Sequence, residues 1–149
     1  MNKKLILIIS FVIALFAVGA VSAGFFDFLN FGDDAGDVNV VEDGEYCTVD
    51  EVSAYIKEFH KLPSNYITKK EAKSLGWHGG SLKEYAPGKS IGGDTFTNRQ
   101  HILPDSKDKY VECDINANGT NRGAERIVYN TGDYKVYYTD DHYNTFKEV

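Results

Sequence analysis

The order of patterns along this chain predicts an α+β domain: N-terminal helices packed on one face of a twisted antiparallel β-sheet, in a single small domain. Three observations carry that prediction. Two helix-period segments come first, each opened by a capping signal, near residues 48–60 and 68–75. Strand-period runs then follow one another through the second half, joined by turn formers. No internal repeat and no nucleotide-binding glycine motif interrupts this order.

Residues 1–23 open with Lys3-Lys4, continue as an apolar stretch from Leu5 to Val18 and end in the small residues Val21-Ser22-Ala23. This is the layout of a secretory signal peptide, with cleavage expected after Ala23 and an extracellular product. Leu5 to Ala23 is nearly long enough to span a bilayer, so an uncleaved membrane anchor is the competing reading. Residues 24–45 hold seven acidic residues and no Lys or Arg, with Phe25, Phe26, Phe28 and Phe31 at the start. Such a run is expected to be an acidic linker or propeptide. The acidity of the chain belongs to it: of the formal charge of −6, residues 46–149 carry only −1. A near-neutral domain can still bind RNA if its Lys and Arg gather on one face. Cys47 and Cys113 both lie in the part that would be exported, so a disulfide between them is expected. Two separate buried thiols are the alternative, and their spacing resembles no metal site.

Within 46–149, Thr48-Val49-Asp50-Glu51 reads as a capping box opening a helix whose Val52, Tyr55, Ile56 and Phe59 repeat at core spacing. His60-Lys61 stands at its C-terminal end, favourable for cations, and Leu62-Pro63 stops it. Thr68 and Glu71 form a second capping box for a short helix through Leu75, closed by Gly76. Lys69 then sits at the helix start, electrostatically the wrong end for a cation, a placement suited to an incoming anion. From Trp77 to Ala86 at most one helical turn is expected, before Pro87-Gly88. Ser90 to Phe96 is a strand interrupted by Gly92-Gly93, where backbone bends or approaches something closely. Thr97 to Gln100 is a polar loop. Strands from Tyr110, Arg126 and Tyr134 follow, the last two joined through Asn130 to Asp133, and Thr145 to Val149 makes a short final strand. Asn118-Gly119-Thr120 is a glycosylation sequon read first as a turn.

At strand period Val111, Cys113 and Ile115 share one face and Tyr110, Glu112 and Asp114 the other, which puts the Glu112 carboxylate on an open sheet face. Ile127 and Tyr129 point to the core, leaving Arg126 on the face of Glu112. Arg122 lies in the intervening loop, and the run from Tyr134 leads into Asp141-His142-Tyr143. Carboxylate, guanidinium and imidazole can therefore converge on one sheet face; solvated surface charges are the alternative.

Taken together, HKLPSNYITK (60–69), LGW (75–77), APGKSIGGD (86–94), FTNR (96–99) and DHYNTF (141–146) closely resemble barnase-like microbial ribonucleases, over essentially all of residues 46–149. The resemblance implies a guanyl-preferring endoribonuclease that needs no metal or cofactor and cleaves single-stranded RNA 3′ of guanosine through a 2′,3′-cyclic phosphate. It assigns the general base to Glu112 and the general acid to His142. Lys69, Arg122 and Arg126 match phosphate-binding cations; Thr97, Asn98, Arg99, Gln100 and Tyr143 match the substrate-binding positions. Thr97 replaces a serine, Gln100 a glutamate that accepts hydrogen bonds from guanine, and His101 a glycine, so a relaxed base preference is expected. His60 is assigned to stability. The expected partner is RNA, met by a monomer; an intracellular protein inhibitor is a further candidate, and a membrane enters only through an uncleaved signal. A toxin of the same chemistry and a non-catalytic RNA-binding module are the alternatives, intact Glu112 and His142 arguing against the latter.

Overall fold

The computed structural model describes residues 38–149, of which Asn39–Val149 form one compact unit. The expected signal peptide and the acidic residues before Val38 lie outside the described residues. Among the described residues no helix is long and apolar enough to cross a membrane. Folded structure begins before residue 46. The Tyr55 hydroxyl donates to the Glu42 carbonyl at 2.5 Å, Lys61 pairs with the Glu42 carboxylate at 2.8 Å, and Val41 N–H donates to the Tyr46 hydroxyl at 2.9 Å. Acidic composition marks this segment as solvated, yet a few specific polar contacts hold its end against the first helix.

That helix, α1, is Val49–Phe59 and buries Val52, Tyr55 and Ile56. The Thr48 hydroxyl accepts from Glu51 N–H at 3.3 Å, while the Glu51 carboxylate takes the Thr48 hydroxyl instead of the backbone amide, so the expected capping box is half made. At the other end His60 adopts a left-handed φ of 60° and donates its N–H to the Ile56 carbonyl. Its ring stacks on Tyr134 at 4.0 Å. The short helix α2, Lys69–Ser74, has both bonds of its Thr68–Glu71 capping box.

Six strands run β1 (Tyr66–Ile67), β2 (Ser90–Phe96), β3 (Tyr110–Asp114), β4 (Arg126–Asn130), β5 (Val136–Thr139) and β6 (Lys147–Glu148), and neighbours in sequence are neighbours in the sheet. All pairs are antiparallel except β1–β2, which is parallel because α2 and the Trp77–Lys89 loops return the chain to the same end. A two-residue strand has no period to read, so this exception was not legible beforehand. β5 starts two residues later than expected, since Tyr134 takes a φ of 58° inside the turn.

The sheet has a core on each face. One, under α1, gathers Val52, Ile56, Tyr66, Val111, Cys113 and Ile127. The other gathers Leu103, Tyr110, Val128 and Tyr137, with Phe96, Tyr143 and Phe146 packed against it. The face expected to be open is therefore covered along much of its length by aromatic rings, and Glu112 occupies a gap beside them. Cys47 and Cys113 are free thiols, which corrects the expected disulfide. Cys113 is fully buried beside Tyr66, whose hydroxyl donates to the Asp114 carbonyl at 2.7 Å, and burial raises the Cys113 pKa well above the ordinary thiol value. It acts as a small core residue. Cys47 is only partly buried, in a loop whose carbonyl accepts from Asn116 N–H at 2.8 Å.

Candidate active site

The bend at Gly92-Gly93 is the first device that builds the site. A Cβ on Gly92 would lie 2.6 Å from the Tyr66 ring and 2.7 Å from Cys113 Cβ, and Gly93 has a φ of 108°. Only glycines fit that approach and that dihedral without strain. The irregularity between Gly92 and Asp94 turns β2 so that Asp94 accepts from Lys69 N–H at 3.0 Å. A carboxylate thus answers the positive end of α2. Lys69 Nζ, with no ion-pair partner among the described residues, is free to face the cleft.

Register does the rest. Glu112 pairs with Val128 and Asp114 with Arg126, so Glu112, Asp114 and Arg126 share one face as their spacing predicted. Asp114, almost wholly buried, receives Arg122 through Nε at 2.6 Å and Nη2 at 3.0 Å, and Arg126 Nε at 3.1 Å. Arg126 Nη1 donates to the carbonyls of Gly123 and Glu125 at 2.8 and 2.9 Å. Each guanidinium keeps one nitrogen without a protein hydrogen bond among the described residues: Nη1 of Arg122 and Nη2 of Arg126. Arg122 also lies over the Trp77 ring, 5.8 Å from its centroid. The carboxylate beside it raises the Arg122 pKa, so its charge is permanent.

Tyr143 connects Glu112 and Arg126. Its hydroxyl donates to the Glu112 carboxylate and accepts from Arg126 Nε. Burial and the Glu112 hydrogen bond raise its pKa, so it remains a donor at any working pH. His142 and Tyr143 both have positive φ, 57° and 77°. What holds them there is Asp141: Oδ1 accepts from the Thr139 hydroxyl at 2.8 Å and from the N–H groups of Asn144 and Thr145 at 3.0 and 2.9 Å, and Oδ2 accepts from the Thr145 hydroxyl at 2.6 Å. Those bonds lower the Asp141 pKa to about 2. His142 N–H further donates to the Ala124 carbonyl at 3.2 Å, which ties the loop to the segment bearing Arg122 and Arg126.

One open cleft of about 370 Å³ is lined by Lys69, Glu112, Arg122, Arg126, His142 and Tyr143 together with Thr95, Phe96 and Thr97. A second, of about 410 Å³, is lined by Thr97, Asn98, Arg99 and Gln100 across from His142, Tyr143 and Asn144. The two share Phe96, Thr97, His142 and Tyr143. Every residue that the sequence reading singled out for chemistry or substrate thus lines one of two adjoining clefts. Asn98, however, spends its side chain within the loop: Nδ2 donates to the Leu103 carbonyl at 3.0 Å and Oδ1 accepts from Leu103 N–H at 3.0 Å. It braces the loop and leaves any ligand contact to the backbone. Phe96, whose ring stacks on Tyr143 at 5.4 Å, was not anticipated as a lining residue, nor were Ile102 and Asn144. Asp114 and Asp141 were missed as positioning residues. For Asp114 the signal was present, since it lies two residues beyond Glu112 on the same strand face.

A carboxylate, an exposed imidazole and three cations around one concave surface can move a proton to and from an oxyanion and hold its charge. A family model described as ribonuclease matches residues 49–149. A ribonuclease of Heyndrickxia coagulans is 47% identical over 105 residues, covering 68% of this chain and 95% of that protein. A ribonuclease of Bacillus intermedius is 47% identical over 105 residues, covering 68% of this chain and 64% of its own length. Guanyl-specific ribonuclease St of Saccharopolyspora erythraea is 40% identical over 57 residues, 37% of this chain and 55% of that protein. Among solved structures, ribonuclease Sa2 with guanosine-2′-cyclophosphate matches 60% of this chain and 87% of its own at 28% identity, with a TM-score of 0.34.

Proposed function

The chain belongs to the barnase-like ribonuclease family, and from that premise we propose that it is a secreted, metal-independent endoribonuclease cleaving single-stranded RNA on the 3′ side of guanosine through a 2′,3′-cyclic phosphate. One observation carries the reading: Glu112, His142, Lys69, Arg122 and Arg126 line a single cleft that adjoins the Thr97–Gln100 loop. RNA carries its own nucleophile, the 2′-hydroxyl, so the protein needs a base and an acid and no covalent residue. Glu112 takes the 2′-hydroxyl proton as that oxygen attacks phosphorus. Protonated His142 gives a proton to the departing 5′-oxygen, and in the second half-reaction the roles reverse as water opens the cyclic phosphate. Charge grows on the nonbridging oxygens during attack, and the free guanidinium nitrogens with Lys69 Nζ answer it more strongly in the transition state than in the substrate.

The Tyr143 hydroxyl donates to Glu112 and holds it beside Arg126. Guanine preference rests on the Thr97–Gln100 loop, whose residues line the second cleft. The experiment is incubation of the purified protein with RNA in excess chelator, followed by analysis of the termini. Cyclic phosphates on guanosine ends are the expected product. Uncut RNA, or ends bearing 5′-phosphate, would overturn the mechanism.

A further inference from the structure

The Asn118-Gly119 turn has no part in the chemistry above, and the pair is the only Asn-Gly in the sequence. It lies between β3 and the segment bearing Arg122. Both residues have positive φ, 44° and 78°, and Thr120 N–H donates to the Ala117 carbonyl at 2.7 Å, which makes a type I′ turn with Asn and Gly at its centre. The Thr120 hydroxyl donates to the same carbonyl at 2.6 Å. A further bond fastens the turn to the rest of the molecule: the Gly119 carbonyl accepts from the Ser81 hydroxyl at 3.0 Å. A Cβ on Gly119 would lie 3.2 Å from Gly88 N and 3.3 Å from the Lys89 carbonyl oxygen, so the turn packs directly on backbone. Two groups are left over. Asn118 is exposed and its carboxamide has no hydrogen bond among the described residues, and neither has the Gly119 N–H.

We propose that Asn118-Gly119 is a self-modifying site whose product unfastens the Arg122 loop. The Gly119 nitrogen, unshielded by a side chain, attacks Asn118 Cγ; its proton and the carboxamide NH₂ leave together as ammonia, and a succinimide ring closes. Water then opens the ring at either carbonyl and gives aspartate or isoaspartate, so one water is consumed for each ammonia released. Either product puts a negative charge where Asn118 was neutral, and isoaspartate also adds one atom to the main chain. A turn bonded on both sides of the reacting pair and packed this closely on backbone has no room for that atom. The Ser81–Gly119 bond is then lost. Ser81 follows Gly80, whose carbonyl accepts from Trp77 Nε1 at 3.0 Å, and Arg122 lies over the same indole. Trp77 is 3% exposed and the only tryptophan, so its emission reports release of the loop.

The test ages the full chain and its Asn118→Gly variant in mildly alkaline buffer, where the Gly119 N–H gives up its proton more readily, beside the free peptide of residues 110–122. Glycine suits the positive φ at position 118 and carries no carboxamide, so the variant keeps the turn. Mass spectrometry of tryptic digests should show amide-to-acid exchange at Asn118 in the native protein within the period that converts the free peptide. Trp77 emission should move to the red in step with that exchange. The variant should show neither change. Asn118 intact after that period, a conversion that leaves the emission in place, or an equal red shift in the variant would each overturn the proposal. None of these readings depends on RNA cleavage.

Discussion

Replacing Asp114 by asparagine keeps the shape of a side chain whose surroundings are built for charge. The carboxylate is 3% exposed and receives two guanidinium groups, Arg122 at 2.6 Å and Arg126 at 3.1 Å. Asparagine offers one acceptor oxygen and turns an NH₂ toward at least one of those donors. Removing one partner of a buried pair typically costs 3–5 kcal/mol. The low end, about 3 kcal/mol, applies here because the Arg122 side chain is 21% exposed and can turn to water. For a domain of this size that corresponds to a fall in Tm of roughly 10–20 °C. The effect on turnover has a separate signature. Lys69, Arg122 and Arg126 against Glu112 and Asp114 give the site one surplus positive charge, and Asp114→Asn adds another, so KM for RNA should not rise. The guanidinium groups lose their fixed geometry, so kcat should drop by roughly tenfold or more. Thermal unfolding followed by circular dichroism and steady-state kinetics on a fluorogenic RNA measure both. A variant with parental Tm and kcat would refute the claim that Asp114 positions the arginines.

Glu112→Ala and His142→Ala should each reduce transphosphorylation by roughly two or more orders of magnitude with the fold retained, and kcat/KM of the parent should be bell-shaped in pH; near-parental activity of either variant removes that residue from its role. Gln100→Glu should tighten preference for guanine over adenine by roughly 10- to 150-fold, the equivalent of 1.5–3 kcal/mol for regaining a charge-assisted acceptor opposite two donors. Cleavage of GpN against ApN by parent and variant decides this, and a parent already as strict as the variant means that guanine is read elsewhere. The hydrogen bonds from Thr145 and Thr139 that hold Asp141 at about 2, below its ordinary 3.8, stabilise the His142–Tyr143 loop fully above the higher value and are lost as pH falls through the lower one. The amide NMR signals of Asn144 and Thr145, which donate to Asp141, should therefore shift in that acid window and should not do so in Asp141→Asn; identical acid titrations in the two proteins would exclude the link.

The contrast between Glu112 and Asp114 shows what the sequence made legible. Both lie on one strand two residues apart, and strand period alone puts them on the same face as Arg126, which the register Asp114↔Arg126 and Glu112↔Val128 bears out. Period says which way a side chain points; it does not say what covers the face. The aromatic cluster of Leu103, Tyr110, Val128 and Tyr137 is assembled from three strands and a loop, and it leaves Glu112 half exposed while Asp114 is buried. Two identical patterns thus end as a carboxylate lining an open cleft and an anchor for arginines. The same limit applies to the loop of His142. Helix caps were readable because their partners lie within four residues and obey a fixed spacing, as Thr68 and Glu71 do. Asp141 also works locally, through Thr139 and Thr145, but its product is a pair of left-handed residues, a conformation that β-carbon sterics oppose at both positions. No propensity foretells such a loop, because its stability is the excess of several specific hydrogen bonds over a backbone cost. A lost bond at Asp141 would therefore be felt first in the direction of the His142 imidazole, so the side of the cleft that His142 lines depends on a carboxylate that does not itself line it.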